Sequence, residues 1–190
     1  MKTVTIFGSS LPSERTPAYE EARELGRMLA EGGFAVCNGG YGGLMEASAR
    51  GAREAGGHTI GVTCSIWPRS ANPWIAREVR TGSFPERIMT LIALGDAYVA
   101  LPGGTGTLAE LALVWEMMNK SALSATVGGR KPLLIVGSYW QPVITCLDQE
   151  PRLASPTPDH HLAAMDLITI VGGAREAADK LAALGEDSRR

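Results

Sequence analysis

Three times along this chain a short apolar run ends at a glycine-rich turn and passes into a segment of helical periodicity. Thr3–Phe7 meets Gly8-Ser9-Ser10, Phe34–Cys37 meets Gly39–Gly43, and Ala97–Leu101 meets Pro102-Gly103-Gly104-Thr105-Gly106-Thr107. Strand, tight turn and helix in that order make up the repeating half of a βαβ unit, whose crossover lays successive strands side by side in parallel. The repetition predicts an α/β chain with a doubly wound, mostly parallel, Rossmann-like sheet and helices on both faces, three layers in all. A hydrophobic content of 45% and 23 glycines suit so many strand-to-helix turns.

Periodicity fills in the elements. Ala22, Leu25, Met28 and Leu29 predict a first helix closing at Gly32-Gly33, and Leu44, Ala47 and Ala52 a second running to Gly56, followed by a strand at Thr59–Val62. Thr63–Ala76 carries Pro68, Pro73 and two tryptophans without a sustained period, and reads as a loop near the mouth of a site, ahead of a short strand at Glu78–Arg80. Ser83-Phe84-Pro85-Glu86 has the form of a capping box that opens a helix to about Leu94. Leu108, Leu111, Ala112, Trp115 and Met118 share one face of the next helix. A strand at Pro132–Val136, a helix from Gln141, a Pro-rich connection through Pro158, a strand at Leu167–Val171 and a helix at Ala174–Leu184 complete the pattern. The length of 190 residues suits one domain. Residues 1–185 are expected to form a single nucleotide-binding domain, with 186–190 a flexible tail.

Charge and cysteine content narrow the function. A formal charge of −2 with interspersed acids and bases offers no footprint for nucleic acid or an anionic membrane. Cys37, Cys64 and Cys146 are odd in number and lack CxxC spacing, and His58, His160 and His161 show no ligand spacing, so neither a disulfide framework nor a metal site is expected. Met1–Phe7 leads straight into a glycine turn without a long apolar stretch, which predicts a cytoplasmic chain with no signal peptide or membrane span.

In open α/β sheets, ligands bind outside the carboxyl ends of the strands. The turn from Pro102 to Thr107 is the most informative of the three, because its glycines let the backbone approach an anion and the helix behind it presents free N–H groups and a partial positive charge. Gly103, Gly104, Thr105, Gly106 and Thr107 are therefore the candidate phosphate site, although the same glycines also suit a plain tight turn. Gly104-x-Gly106-x-x-Ala109 fits a permissive dinucleotide fingerprint, yet the strand that follows ends at Val136-Gly137-Ser138 without the acid that would hold a ribose. A Walker-type lysine is absent as well.

Two ionisable residues stand beside this turn in the chemistry. Glu110 closes Thr107-Leu108-Ala109-Glu110, itself a possible capping box, and so reads equally as a helix start or as a functional carboxylate. Arg87 places a cation in the first turn of a helix, against the macrodipole, a cost that a phosphate or Glu110 would offset; the plain alternative is an arginine pointing into solvent.

On these residues the chain resembles the LOG-like proteins, cytokinin-activating nucleoside 5′-monophosphate phosphoribohydrolases often mislabelled as lysine decarboxylases. The likeness runs from Thr3 to about Val143. The family's Pro-Gly-Gly-x-Gly-Thr-x-x-Glu pattern is complete at Pro102–Glu110. The turns that supply Gly8, Ser9, Gly40 and Gly42 match too, which makes those four further candidates for nucleotide binding. The family's Arg-Lys pair falls on Arg87 and Ile88, so its lysine is missing, and Phe84-Pro85 stands at its Met-His. Glu46 occupies a position that is glycine in many members.

The resemblance implies hydrolysis of the N-glycosidic bond of a nucleoside 5′-monophosphate, AMP or an N6-modified AMP, to free base and ribose 5-phosphate. Glu110 would stabilise the positive charge developing on the sugar, Arg87 would hold Glu110 ionised, and no metal or cofactor would be needed. It also implies a homodimer, for which Met117–Met118 offer a surface. A pyridoxal enzyme would need a Schiff-base lysine, and Lys2, Lys120, Lys131 and Lys180 stand in no pocket motif. The competing expectations are a nucleotide-binding or sensing protein that keeps the phosphate cradle without turnover, and a structural subunit of a larger assembly.

Overall fold

A strand that is apolar at every position has to be covered on both faces. β5 (Ala97–Ala100) is such a strand: Ala97 and Val99 face one hydrophobic cluster, Tyr98 and Ala100 the other. The computed structural model of the chain describes residues 1–120, 131–150 and 164–187. Around β5 it arranges β1 (Thr3–Phe7), α1 (Pro17–Glu31), β2 (Ala35–Asn38), α2 (Leu44–Glu54), β3 (Thr59–Cys64), β4 (Arg77–Thr81), α3 (Phe84–Leu94), α4 (Thr105–Asn119), β6 (Leu133–Val136), α5 (Gln141–Asp148), β7 (Thr169–Val171) and α6 (Ala174–Asp187).

The seven strands form one sheet in the order β4-β3-β2-β1-β5-β6-β7, and every pairing is parallel. Side chains of α1, α2 and α6 bury one face against Val4, Ile6, Val36 and Val99. Those of α3, α4 and α5 bury the other against Ile60, Val62, Tyr98 and Ile135. This is the doubly wound, three-layer architecture expected, with a sheet parallel throughout. The winding reverses between β1 and β5, whose register pairs Phe7 with Ala100 and brings the turns after both strands side by side. A crevice at the carboxyl ends of the strands opens at that reversal.

Several expected boundaries move. β2 is shifted by one residue because Asn38 closes it, its buried amide donating to the Met45 carbonyl at 2.8 Å and accepting from the Gly40 amide at 2.9 Å. Thr63 and Cys64 belong to β3 rather than to the loop, paired with Arg80 and Thr81. Leu167 falls in a one-turn 3-10 helix before β7. The buried stripe of α4 is Leu111, Val114, Trp115 and Met118, so Ala112 lies on the exposed side. Met118 is 3% exposed and belongs to the core, leaving only the half-buried Met117 of the two methionines proposed for a contact surface. Helix α6 continues through Asp187. The Pro-rich connection with His160 and His161, and residues 188–190, lie outside the described residues.

α1 and α2 approach each other through glycine. A Cβ at Gly51 would overlap the Arg23 carbonyl, and one at Gly26 the Ser48 carbonyl; both neighbours are backbone and cannot rotate away. Gly51→Ala gains helix propensity, about 1 kcal/mol, but forces the helices apart, an overpacking cost of roughly 1–3 kcal/mol. Thermal unfolding is expected to shift down by several degrees; an upward shift would mean that the contact yields at no cost.

Candidate functional site

The three glycine turns meet at Ser9. Its amide donates to the Pro102 carbonyl at 3.0 Å, its carbonyl accepts from the Leu44 amide at 2.8 Å, and its hydroxyl accepts from the Leu11 amide at 3.1 Å. Gly43, with φ of +69°, is pressed against the Ser9–Ser10 backbone so closely that no Cβ would fit. One residue after β1 thus fixes the starts of α2 and of the turn before α4 relative to each other.

The start of α4 leaves backbone amides without a helix partner. Glu20, Glu46, Glu86 and Glu176 sit in the first turns of α1, α2, α3 and α6, where each carboxylate answers the helix dipole from within the chain. α4 has no acid in its first turn and no side-chain cap; α5 lacks both as well, but Pro142 removes one of its first amides and the Gln141 amide donates to the Ser138 carbonyl at 3.0 Å. Its first intrahelical bond runs from the Leu108 amide to the Gly104 carbonyl at 2.9 Å. The amides of Thr105, Gly106 and Thr107 therefore have no partner within the helix and stand at the positive pole.

Because Gly104 is the N-cap, Thr107 lies inside α4 and Glu110 is not the end of a capping box. The carboxylate turns instead to Arg87. Ser83 caps α3 through the Glu86 amide at 3.3 Å, while the Glu86 carboxylate accepts from the Gly82 amide at 2.7 Å, so the expected box forms one residue wide of its usual partner. This anchors the first turn of α3 and aims Arg87 inward. Arg87 is only 5% exposed, which removes the solvent-facing alternative. Its Nε donates to the Val62 carbonyl at 2.8 Å, Nη2 to the Gly39 carbonyl at 3.1 Å, and Nη1 to Glu110 Oε1 at 3.2 Å. A Cβ at Gly39 would overlap the guanidinium.

Glu110 is 7% exposed. Burial disfavours its charged form and pushes its pKa up to about 7, against the pull of the Arg87 charge and hydrogen bond. Protonation is thus favoured in the folded chain over the unfolded one.

Above the pair stands an aromatic wall. Trp67 meets Tyr41 and Phe84 edge to face, each at 5.8 Å between centroids, and the Arg87 guanidinium lies 5.6 Å from the Tyr41 and Trp67 rings. Asn72 pins the loop that carries Trp67, donating to the Tyr41 carbonyl at 2.8 Å. Together these groups enclose a cleft of about 480 Å³, lined by Gly8–Leu11, Tyr41, Met45, Trp67, Arg69, Phe84, Arg87, Gly104–Thr107 and Glu110. A volume of this order suits a small ligand.

Most of the residues singled out in the sequence converge on this cleft. Gly40, Gly42 and Gly103 do not line it. Gly40 has a φ of +76° and packs against Gly61 and Thr63, and Gly103 gives way to the Thr107 side chain. Leu11, Tyr41, Met45, Trp67 and Arg69 escaped notice as cleft residues, and Phe84 was read only as part of a capping box and as the stand-in for a family Met; for Trp67 and Arg69 the sequence signal was the placement of the aperiodic loop at a site mouth. No group of His, Cys, Asp or Glu among the described residues is arranged to hold a metal, and no helix there is long and apolar enough to cross a membrane.

The profile of the SLOG cluster4 family matches residues 1–129. The probable cytokinin riboside 5′-monophosphate phosphoribohydrolase LOGL5 of Oryza sativa subsp. japonica is 33% identical over 151 residues, covering 78% of this chain; the chain spans 60% of that relative's length. LOGL9 of the same plant, described in the same words, is 32% identical over 162 residues, 84% of this chain and 70% of its own. Among solved structures, the molybdenum cofactor binding protein from Rippkaea orientalis superimposes with a TM-score of 0.71 over 96% of each chain, at 21% identity, a likeness of fold alone.

The raised pKa has a consequence for stability. Since the folded chain holds the Glu110 proton more tightly than the unfolded one, the stabilising contribution is fully present below the ordinary value of 4.5 and is lost as pH rises through about 7. Glu110→Gln has no such dependence. Measured from pH 4.5 to 8, the melting temperature of the variant should gain on the wild type; a constant difference would return Glu110 to an ordinary carboxylate.

Proposed function

The chain belongs to the SLOG cluster4 family, and from that premise we propose that it hydrolyses the N-glycosidic bond of a nucleoside 5′-monophosphate, AMP or an N6-modified AMP, releasing the base and ribose 5-phosphate. The observation that carries the reading is that one helix, α4, holds both an uncapped N-terminus and, five residues further on, the buried Glu110. Five residues are about 7.5 Å of helix, shortened by the lean of the side chain toward the N-terminus. A 5′-phosphate on the amides of Gly104–Thr107 would then leave the sugar over Glu110 and the base against Trp67.

The chemistry follows from that placement. As the bond from C1′ to the base nitrogen lengthens, positive charge develops on the sugar, and an ionised carboxylate beneath it lowers the barrier. Glu110 also suits the role of acceptor for a proton from the water whose oxygen bonds to C1′, while the departing base is protonated in turn. Arg87 holds the carboxylate in place and favours its ionised form. Binding of the remote phosphate supplies the positioning. The named relatives carry this activity in their descriptions.

One feature favours binding without turnover. Ile88, at the position of the family lysine, is packed into the core beside Leu91 and Ile92, so among the described residues the cleft has one buried cation where the family pattern has two basic residues.

Base release from a panel of nucleoside 5′-monophosphates decides between the two. The wild type should release a base, with kcat/KM rising with pH and levelling above about 7 as Glu110 ionises, and Glu110→Gln should lose at least about 100-fold, the scale of a removed acid–base group. Saturable binding with no release would establish the binding reading instead. The family resemblance further supports a homodimer, and sedimentation at micromolar concentration should give twice the 20.1 kDa chain mass; a monomer there would remove it.

A further inference from the structure

The turn that would receive the phosphate is held from behind by three hydrogen bonds to three consecutive carbonyls. Trp140 Nε1 donates to Leu101 at 3.0 Å, the Ser9 amide to Pro102 at 3.0 Å, and the Tyr139 hydroxyl to Gly103 at 2.9 Å. The donors come from two different places in the fold, the turn after β1 and the turn after β6. Tyr139 and Trp140 brace each other edge to face at 5.0 Å.

The third bond matters most, because a trans peptide holds its C=O and the following N–H antiparallel. With the Gly103 carbonyl drawn toward Tyr139, the Gly104 amide is turned the opposite way. Gly104 lines the cleft and Tyr139 does not. The peptide between two glycines has no Cβ on either side to resist rotation, and Gly104, at φ of −92° and ψ of −160°, lies outside the helix that orders the amides after it. Tyr139 itself is 55% exposed, so burial of its ring does not account for the placement of its hydroxyl.

We infer that Tyr139 is a positioning residue for anion binding: its hydroxyl fixes the Gly103–Gly104 peptide so that the Gly104 amide joins those of Thr105, Gly106 and Thr107 in a single cradle for a phosphate monoester. The inference rests on the phosphate site proposed above and adds a residue on the far side of the turn that touches no ligand. Without the hydroxyl the peptide rotates among orientations, and part of the binding energy is spent on ordering it.

Calorimetry with ribose 5-phosphate and inorganic phosphate as probes tests this on the full chain, with Tyr139→Phe keeping the ring on Trp140. The expected result is a loss of about three- to tenfold in affinity for both, the scale of one neutral hydrogen bond, at a melting temperature within a degree or so of the wild type. The Gly104 amide proton resonance should move downfield when the wild type binds ribose 5-phosphate and move less in the variant, a change that a generally weakened fold would not confine to this amide. Equal affinities and equal Gly104 shifts in both proteins would overturn the role of Tyr139 and leave the phosphate site standing. A wild type that binds neither probe would overturn the phosphate site and this inference with it.

Discussion

The ion pair between Arg87 and Glu110 is the constraint around which the cleft is built. Moving two charges out of water carries a penalty of several kcal/mol each, which their mutual attraction offsets only when the remaining donors find acceptors. Arg87 finds them in the carbonyls of Val62 and Gly39. The guanidinium therefore ties together β3, the turn after β2, the first turn of α3 and the second turn of α4, four elements that share no local sequence. A hydrophobic pair of the same volume would stabilise this spot as well or better, so stability alone does not account for two buried charges at the floor of a cleft. Glu110→Gln keeps an acceptor for Nη1, whereas truncation of Arg87 would leave two carbonyls and a carboxylate unanswered.

That floor is coupled to the positive end of α4 by the helix itself. Carboxylates of the chain already occupy the first turns of α1, α2, α3 and α6. An incoming anion would find at the start of α4, beside the reversal of winding between β1 and β5, amides that no first-turn carboxylate answers. Its charge would raise the pKa of Glu110 further, while Arg87 opposes the rise. The protonation of one buried carboxylate, poised near 7 in the free chain by burial and by Arg87, would in this way answer to the proposed ligand as well.

The order of strands and helices was legible because it depends on local pattern: apolar runs, glycine turns and 3.6-residue spacing. The turn at Pro102–Thr107 was legible for the same reason. The partnership of Arg87 with Glu110 was not, since it joins residues 23 apart through the crossing of α3 over the sheet; sequence left Glu110 between a cap and a functional acid, and the placement of the N-cap at Gly104 removes the cap. Trp67 and Arg69 lie in a segment without periodicity, where nothing local tells which side chains turn inward. Gly26 and Gly51 read as weak positions in helices until the two helices are seen to touch there. Gly40 and Gly42 read as ligand contacts because glycine turns often are; Gly40 serves the backbone conformation, at φ of +76°, instead.

Ile88 draws these threads together. It follows Arg87 by one residue on α3, about 100° around the helix, and that rotation takes it off the cleft and into the apolar layer beneath the sheet, where it is 5% exposed. A lysine there would have to lift its ammonium out of the core, whereas isoleucine simply packs. Among the described residues the cleft carries no second buried cation beside Arg87, three of whose five N–H donors go to Val62, Gly39 and Glu110. In the proposed site, recognition of a phosphate would fall to backbone amides at the start of α4, with Arg69 an exposed cation at the rim. Amides carry only partial charges, so their joint orientation, rather than net charge, has to supply the affinity. A site of that kind depends on what holds its peptides from behind, which is why the hydrogen bonds to Leu101, Pro102 and Gly103 weigh more in this chain than they would beside a second basic residue.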